Sequence, residues 1–223
     1  MRIIAALSKL NRASYLSHLD IQRTLQRAMR RADLPLRYSN GFNPHPEVHF
    51  ATALSTGDES VCEWFDVLLD GTLTPECFTE RLNAALPEGL SVSDAFEGPE
   101  IGFGSLTARL RAAKYRLEFQ TDGAALLQAA LDGMLNETAI IIDKRTKGGI
   151  KPHDMRPQVL DARILQNKEN ACILEVTGTL TAAGGLRTEA FVKVLLERAN
   201  CEGTFHCCRI GMYFDGSLPL PVL

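Results

Sequence analysis

The sequence predicts an α+β protein built as two tandem ferredoxin-like (βαββαβ) sandwiches. Three observations carry that prediction. Apolar periodicity switches between strand and helix spacing in the order βαββαβ over residues 1–100. Nearly the same order recurs over residues 106–223, with one additional strand. Between them lies the Gly-rich connection "GPEIGFGS", the candidate boundary. One larger continuous sheet is the alternative architecture.

The elements follow in order. "RIIAALSK" reads as a strand, followed by a helix within Ser17 to Pro35, "SHLDIQRTLQRAMRRADLP". "EVHFATAL" and "VCEWFDVLLD" read as strands. Thr74-Pro75 opens a second helix to about Leu86, with proline in the first turn where its missing N–H is harmless, and "GLSVSDAF" is a fourth strand. In the second half, "AKYRLEF" is a strand, Asp122–Leu135 a helix and "TAIIID" a strand. "VLDARILQ" and "ACILEVTGTL" are strands joined by a turn at Lys168–Asn170. Leu186–Ala199 is a helix, and "FHCCRIGMYF" closes the chain as a strand.

With 45% hydrophobic and 23% charged residues, the 223-residue chain has the composition of a globular protein. Its first residues hold too short an apolar run for a signal peptide, and no segment approaches the ~18 apolar residues of a membrane span. These features predict a cytoplasmic protein with no membrane partner. The six cysteines lack a regular framework, so reduced thiols are expected. "CEGTFHCC" gathers Cys201, His206, Cys207 and Cys208 without a CxxC partner, which argues against zinc. His45 and His49 are about 13 Å apart in an extended chain, too far to share an ion. No cofactor or metal is expected.

The net charge of −3 conceals an asymmetry. Residues 1–50 carry eight lysines and arginines against three acids, and residues 51–105 one arginine against eleven acids. Residues 106–160 return to a net of +3. The two basic segments could form one face or separate exposed patches.

The helix after Ser17 concentrates the first excess. With Ile21 at zero and 100° per residue, Leu25, Ala28, Met29 and Ala32 fall within about 80° and form a core stripe. Arg23, Arg27, Arg30 and Arg31 fall between about 180° and 280°, on the opposite face, where guanidinium groups suit phosphates. A solvated helix face is the competing explanation. Ser17 is a good N-cap, with Asp20 at N3 as a capping-box variant, and Asp33-Leu34-Pro35 ends the helix. His18, at about 60°, points to the core edge and reads more readily as packing than as a proton shuttle.

The following loop, Asn40-Gly41-Phe42-Asn43-Pro44-His45, is stiffened by Pro44 and Pro46 and is a candidate site or a rigid connection. Later, Lys144, Arg145, Lys147 and Lys151 surround Gly148-Gly149, and Arg156 follows Asp154. Glycines allow close approach and the cations offer phosphate contacts, although a solvated hairpin tip would look similar. The segment lacks the GxxxxGK[ST] of a P-loop.

"YLSHLDIQRTLQRAMRRADLPLRYSNGFNPHP", followed by "ATALSTGDESVCEWFDVLL", resembles the radical SAM-associated domain family of unknown function. "KRTKGGIKPHDMRP" is similar to that family's basic-Gly loop. The resemblance covers nearly the whole chain and is less distinctive in the second half. The domain occurs alone or fused behind a cobalamin-binding radical SAM protein, often encoded near ribonuclease E/G and ribosomal proteins. The resemblance therefore implies a radical SAM protein as partner, and RNA or ribosomal components as further partners. It supplies no reaction, and this chain has no CxxxCxxC cluster motif. Three functions compete: a non-catalytic accessory or adaptor binding RNA, an RNA-processing or RNA-modifying enzyme using His18 or His45, and a purely protein-binding subunit using the acidic 51–105 region. The RRM aromatic signature is missing, since "FHCCRIGMYF" is not an RNP1.

Overall fold

The computed structural model describes residues 1–100, 102, 104–146, 149–216 and 220–222, leaving out the side chain of Thr146. It is a mixed α+β structure with mostly antiparallel strands and five helices. The chain divides into two compact units, Met1–Leu110 with Arg209–Leu223, and Arg111–Cys208. Residues 209–223 thus group with the first unit, whereas the sequence pattern assigns them to the second.

In the first unit, β1 (Arg2–Lys9), α1 (His18–Arg31), β2 (Val48–Phe50), β3 (Glu59–Leu68), α2 (Pro75–Ala85) and β4 (Leu90–Gly98) follow the expected order. Their spatial order is β4-β1-β3-β2, each pair antiparallel. Every residue of β1 is buried, the pattern of a strand covered on both faces. Ile3, Ala5 and Leu7 meet Ile21, Leu25 and Met29 of α1 and Phe78 and Leu82 of α2 in one core. On the reverse face Ile4 and Trp64 are also buried, and Arg2 reaches across to the Gly104 carbonyl at 3.2 Å. There the short helix α3 (Leu106–Arg109) lies against β2 and β3. The expected strand "EVHFATAL" shrinks to Val48–Phe50, because the chain turns away after Ala51 bonds to the Trp64 carbonyl at 2.8 Å.

The second unit contains β5 (Leu110–Thr121), α4 (Ala124–Asn136), β6 (Ile141–Thr146), β7 (Gly149–Asp154), β8 (Val159–Lys168), β9 (Ala171–Thr181), the two-residue β10 (Gly184–Gly185), α5 (Thr188–Ala199) and the start of β11 (Gly203–Phe214). β9 lies between β8 and β5, antiparallel to both, and the turn at Glu169–Asn170 sits where expected. Leu127, Leu131 and Met134 of α4 and Phe191 and Leu195 of α5 are buried with Leu117 and Phe119. Gly178 is required on β9, since a Cβ there would lie 2.4 Å from that of Leu186. The basic loop is in fact a separate two-stranded hairpin, β6–β7, which claims the second half of the expected strand "TAIIID". Lys144 stands opposite Lys151 and Arg145 opposite Ile150.

Candidate nucleic-acid interface

Helix α1 is held at both ends by side chains. The Ser17 hydroxyl accepts from the Asp20 backbone N–H at 3.3 Å and donates to the Asp20 carboxylate at 2.6 Å. That bond holds the Asp20 carboxyl below the usual carboxylate range. The reciprocal half of the box therefore runs through the hydroxyl, because the shorter Asp side chain replaces Glu at N3. At the other end, Arg81 of α2 donates to the Ala32 carbonyl at 3.0 Å, placing a cation on the negative end of the helix. Asp33 takes a left-handed conformation (φ 50°) before Pro35 leads the chain away.

This clamping leaves Arg23, Arg27 and Arg30 exposed, while Ile21, Leu25, Ala28 and Met29 face the core. Arg31 is set apart from them, donating to the Ala85 carbonyl at 2.7 Å and tying α1 to α2. Arg23 lies 3.9 Å from Asp20, a fully hydrated pair that leaves the guanidinium accessible.

The loop after α1 is a closed structure. Tyr38 bridges Pro46. The Ser39 N–H donates to the His45 carbonyl at 2.9 Å, and the Ser39 hydroxyl lies 2.9 Å from His45 Nδ1. Asn43 contributes its carbonyl 3.4 Å from the same nitrogen, and Gly41 (φ 135°) makes the reversal that L side chains resist. Asn40, Phe42, Pro44 and His45 are exposed on this frame. The loop is fixed to the helix where Arg30 Nε donates to the Tyr38 hydroxyl at 3.4 Å. Two segments chosen independently from the sequence thus meet on one surface.

Lys144, Arg145 and Lys151 are on the β6–β7 hairpin of the second unit, and Lys147 lies outside the described residues. Arg156 bonds the Val159 and Leu135 carbonyls at 3.0 and 2.9 Å, and Asp154 accepts from the backbone of Ile140 and Arg156, so this end of the motif fastens the hairpin to α4. His18 packs edge-on against Phe50, with ring centroids 5.4 Å apart. It lines a cavity of about 10 Å³ with Lys9 and Glu63, room for one water. Burial lowers the pKa of both His18 and Lys9.

Several charged groups escaped the sequence reading. Lys9 is buried with its ammonium on the Ser55 carbonyl at 3.1 Å, and Glu63 is buried against Arg209. Asp66 is buried between Arg2 (2.9 Å) and His49 Nδ1 (3.3 Å). That hydrogen bond raises the His49 pKa despite the opposing effect of burial. The available signal was a lone charge inside an apolar strand run, as in "VCEWFDVLL" and "FHCCRIGMYF". Such a charge must find a partner once its strand is covered.

Among solved structures, a chain in "Crystal Structure of a Cbf5-Nop10-Gar1 Complex" superposes with TM-score 0.58 at 10% identity, covering 99% of this chain. The present chain spans only 52% of that one, and at this identity the likeness shows the fold alone. An unknown protein from Galdieria sulphuraria gives TM-score 0.28 at 10% identity, covering 92% of this chain and 96% of its own. A putative glycine cleavage system transcriptional repressor gives 0.22 at 7% identity, covering 93% and 97%. No curated protein matches the sequence. The family described as "Uncharacterized protein conserved in bacteria (DUF2344)" matches residues 2–188, more than four-fifths of the chain, and the protein belongs to that family.

Proposed function

We propose that this protein is a non-catalytic accessory factor that holds RNA on the α1 face for a radical SAM enzyme. The observation that carries the reading is the Arg30–Tyr38 contact at 3.4 Å, which joins the arginine row to the Asn40–His45 loop in one exposed surface. Arg23, Arg27 and Arg30 oppose the core stripe and are exposed, Arg30 also holding Tyr38, and guanidinium groups engage phosphates by charge and forked geometry. The radical SAM partner rests on the resemblance of the SHLD and GFNPHP segments. Both units read as ferredoxin-like sandwiches; the β4-β1-β3-β2 order of the first and the β8-β9-β5 order of the second support this. The test is crosslinking and co-purification of the tagged protein from its native cell. Recovery of RNA together with a radical SAM protein is expected, and recovery of neither contradicts the proposal.

A second reading has one specific support. Asp66, aligned by Arg2, faces Nδ1 of the largely exposed His49, the geometry that orients an imidazole for proton transfer. An RNA-processing enzyme on this scaffold would use His49 in preference to His18, which is half-buried beside Phe50. RNA cleavage lost in His49→Gln, with RNA binding retained, would establish that reading over the adaptor.

A further inference from the structure

We infer that the α1 surface takes single-stranded RNA, with unpaired bases stacked on Tyr38, Tyr15 and Phe42, and discriminates against duplex. The inference rests on the RNA-binding reading above and adds the class of RNA. An arginine row alone would grip the phosphates of either form. What separates the two is access to the base faces, which a duplex hides in its stack and a single strand offers to aromatic side chains.

The exposed aromatic residues are placed accordingly. Among the described residues, the exposed aromatic side chains are Tyr15 (75%), Tyr38 (43%) and Phe42 (106%). All three fall within the stretch that contains α1 and its loop, and the other described Phe, Tyr and Trp residues are buried or half-buried. Tyr38, bonded to Arg30, sets a partly exposed ring next to a cation, a combination that suits a ligand with flat apolar faces and negative charge. Tyr15 precedes the helix, Leu19 (59% exposed) shares the arginine face, and Tyr38 is fixed beside Arg30 in the last turn. From Arg23 to Arg30 the cation row runs ~10 Å along α1, the length of roughly three stacked nucleotides. Tyr38 therefore stands at the C-terminal end of the cation row, and Tyr15 and Phe42 lie in the segments that flank α1. The Ser39–His45 bonds and the Tyr38–Pro46 bridge hold the Tyr38 backbone in place before binding, which lowers the entropic cost of stacking.

The experiment compares a short oligoadenylate RNA with a blunt RNA duplex of equal length by fluorescence anisotropy. It uses the full chain as wild type, Tyr38→Leu, Tyr38→Phe and an Arg23/Arg27/Arg30→Glu variant, each confirmed folded by circular dichroism. Wild type should bind the single strand about tenfold more tightly than the duplex. Tyr38→Leu should lose about tenfold on the single strand and little on the duplex, while Tyr38→Phe, which keeps the ring, retains the preference. Equal affinity for both RNAs, or a Tyr38→Leu variant indistinguishable from wild type on the single strand, overturns the inference. If that result comes with binding that the arginine variant abolishes, the RNA reading survives and only the single-strand inference falls. Binding of neither RNA overturns both.

Discussion

Nη1 of Arg209 lies 2.8 and 2.9 Å from the two carboxylate oxygens of Glu63, and both residues are buried. Arg209 begins the part of β11 that belongs to the first unit, so the pair fastens that segment to β3. Arg209→Ala removes the bidentate partner of a buried carboxylate, leaving Lys9 as a nearby cation, and should destabilise the protein by about 3 kcal/mol. Arg209→Met with Glu63→Leu should recover most of the loss. Urea denaturation of the single and double variants measures both; a double variant as unstable as the single one would contradict the pairing.

Glu175 supplies a pH test in the second unit. Burial pushes its pKa up, but hydrogen bonds from Lys114, Arg116 and Arg163 at 2.9, 3.0 and 3.3 Å outweigh that and hold it at about 2. A folded-state pKa below the unfolded value means stability present above pH ~4.3 and lost as pH falls toward 2. Wild type should therefore melt well above Glu175→Gln at pH 6, and the gap should close by pH 2. A gap independent of pH would show that the three cations do not act through the Glu175 charge.

His49 gives the opposite sign. Its pKa is raised, first by the hydrogen bond to Asp66, so its contribution is complete below the unfolded value near 6.5 and is lost as pH rises through the folded value. NMR titration should find His49 titrating above 6.5, and the stability difference from His49→Gln should shrink as pH rises from 6 to 9. A His49 titrating below 6.5 would contradict the Asp66 contact.

The mixed α+β character, the helices of the first unit and the exposed arginines of α1 are legible in the sequence for local reasons. Ser17, Asp20, Thr74 and Pro75 act within one turn of chain, and the Ile21–Met29 stripe repeats at helical spacing, so both helices of the first unit end within a residue or two of expectation. The arginine face followed from the same wheel. What stayed hidden depends on pairing across the sheet. The partners of Glu63 and Asp66 come from 146 and 64 positions away in the chain, and no local pattern encodes such a match. Tyr38 was passed over because its role comes from a contact with Arg30 across the helix end. The β6–β7 hairpin lacks a local strand signature because its strands carry lysines where packed strands carry apolar residues.

The proposed function requires the exposed face of α1 to bind RNA through Arg23, Arg27 and Arg30, while the opposite face builds the core. The most direct measurement is the salt dependence of single-stranded RNA affinity for wild type and for the variant with all three arginines changed to glutamate. Thermal melting of both runs alongside, with Leu25→Asp as the core control. The triple variant should melt like wild type, bind at least about a hundredfold more weakly, and have a log–log salt slope shallower by about 2, as expected for three lost phosphate contacts. Leu25→Asp should unfold the first unit by burying an unpaired charge. A triple variant that binds with wild-type affinity and slope would contradict the account, leaving the arginine row as a solvated face.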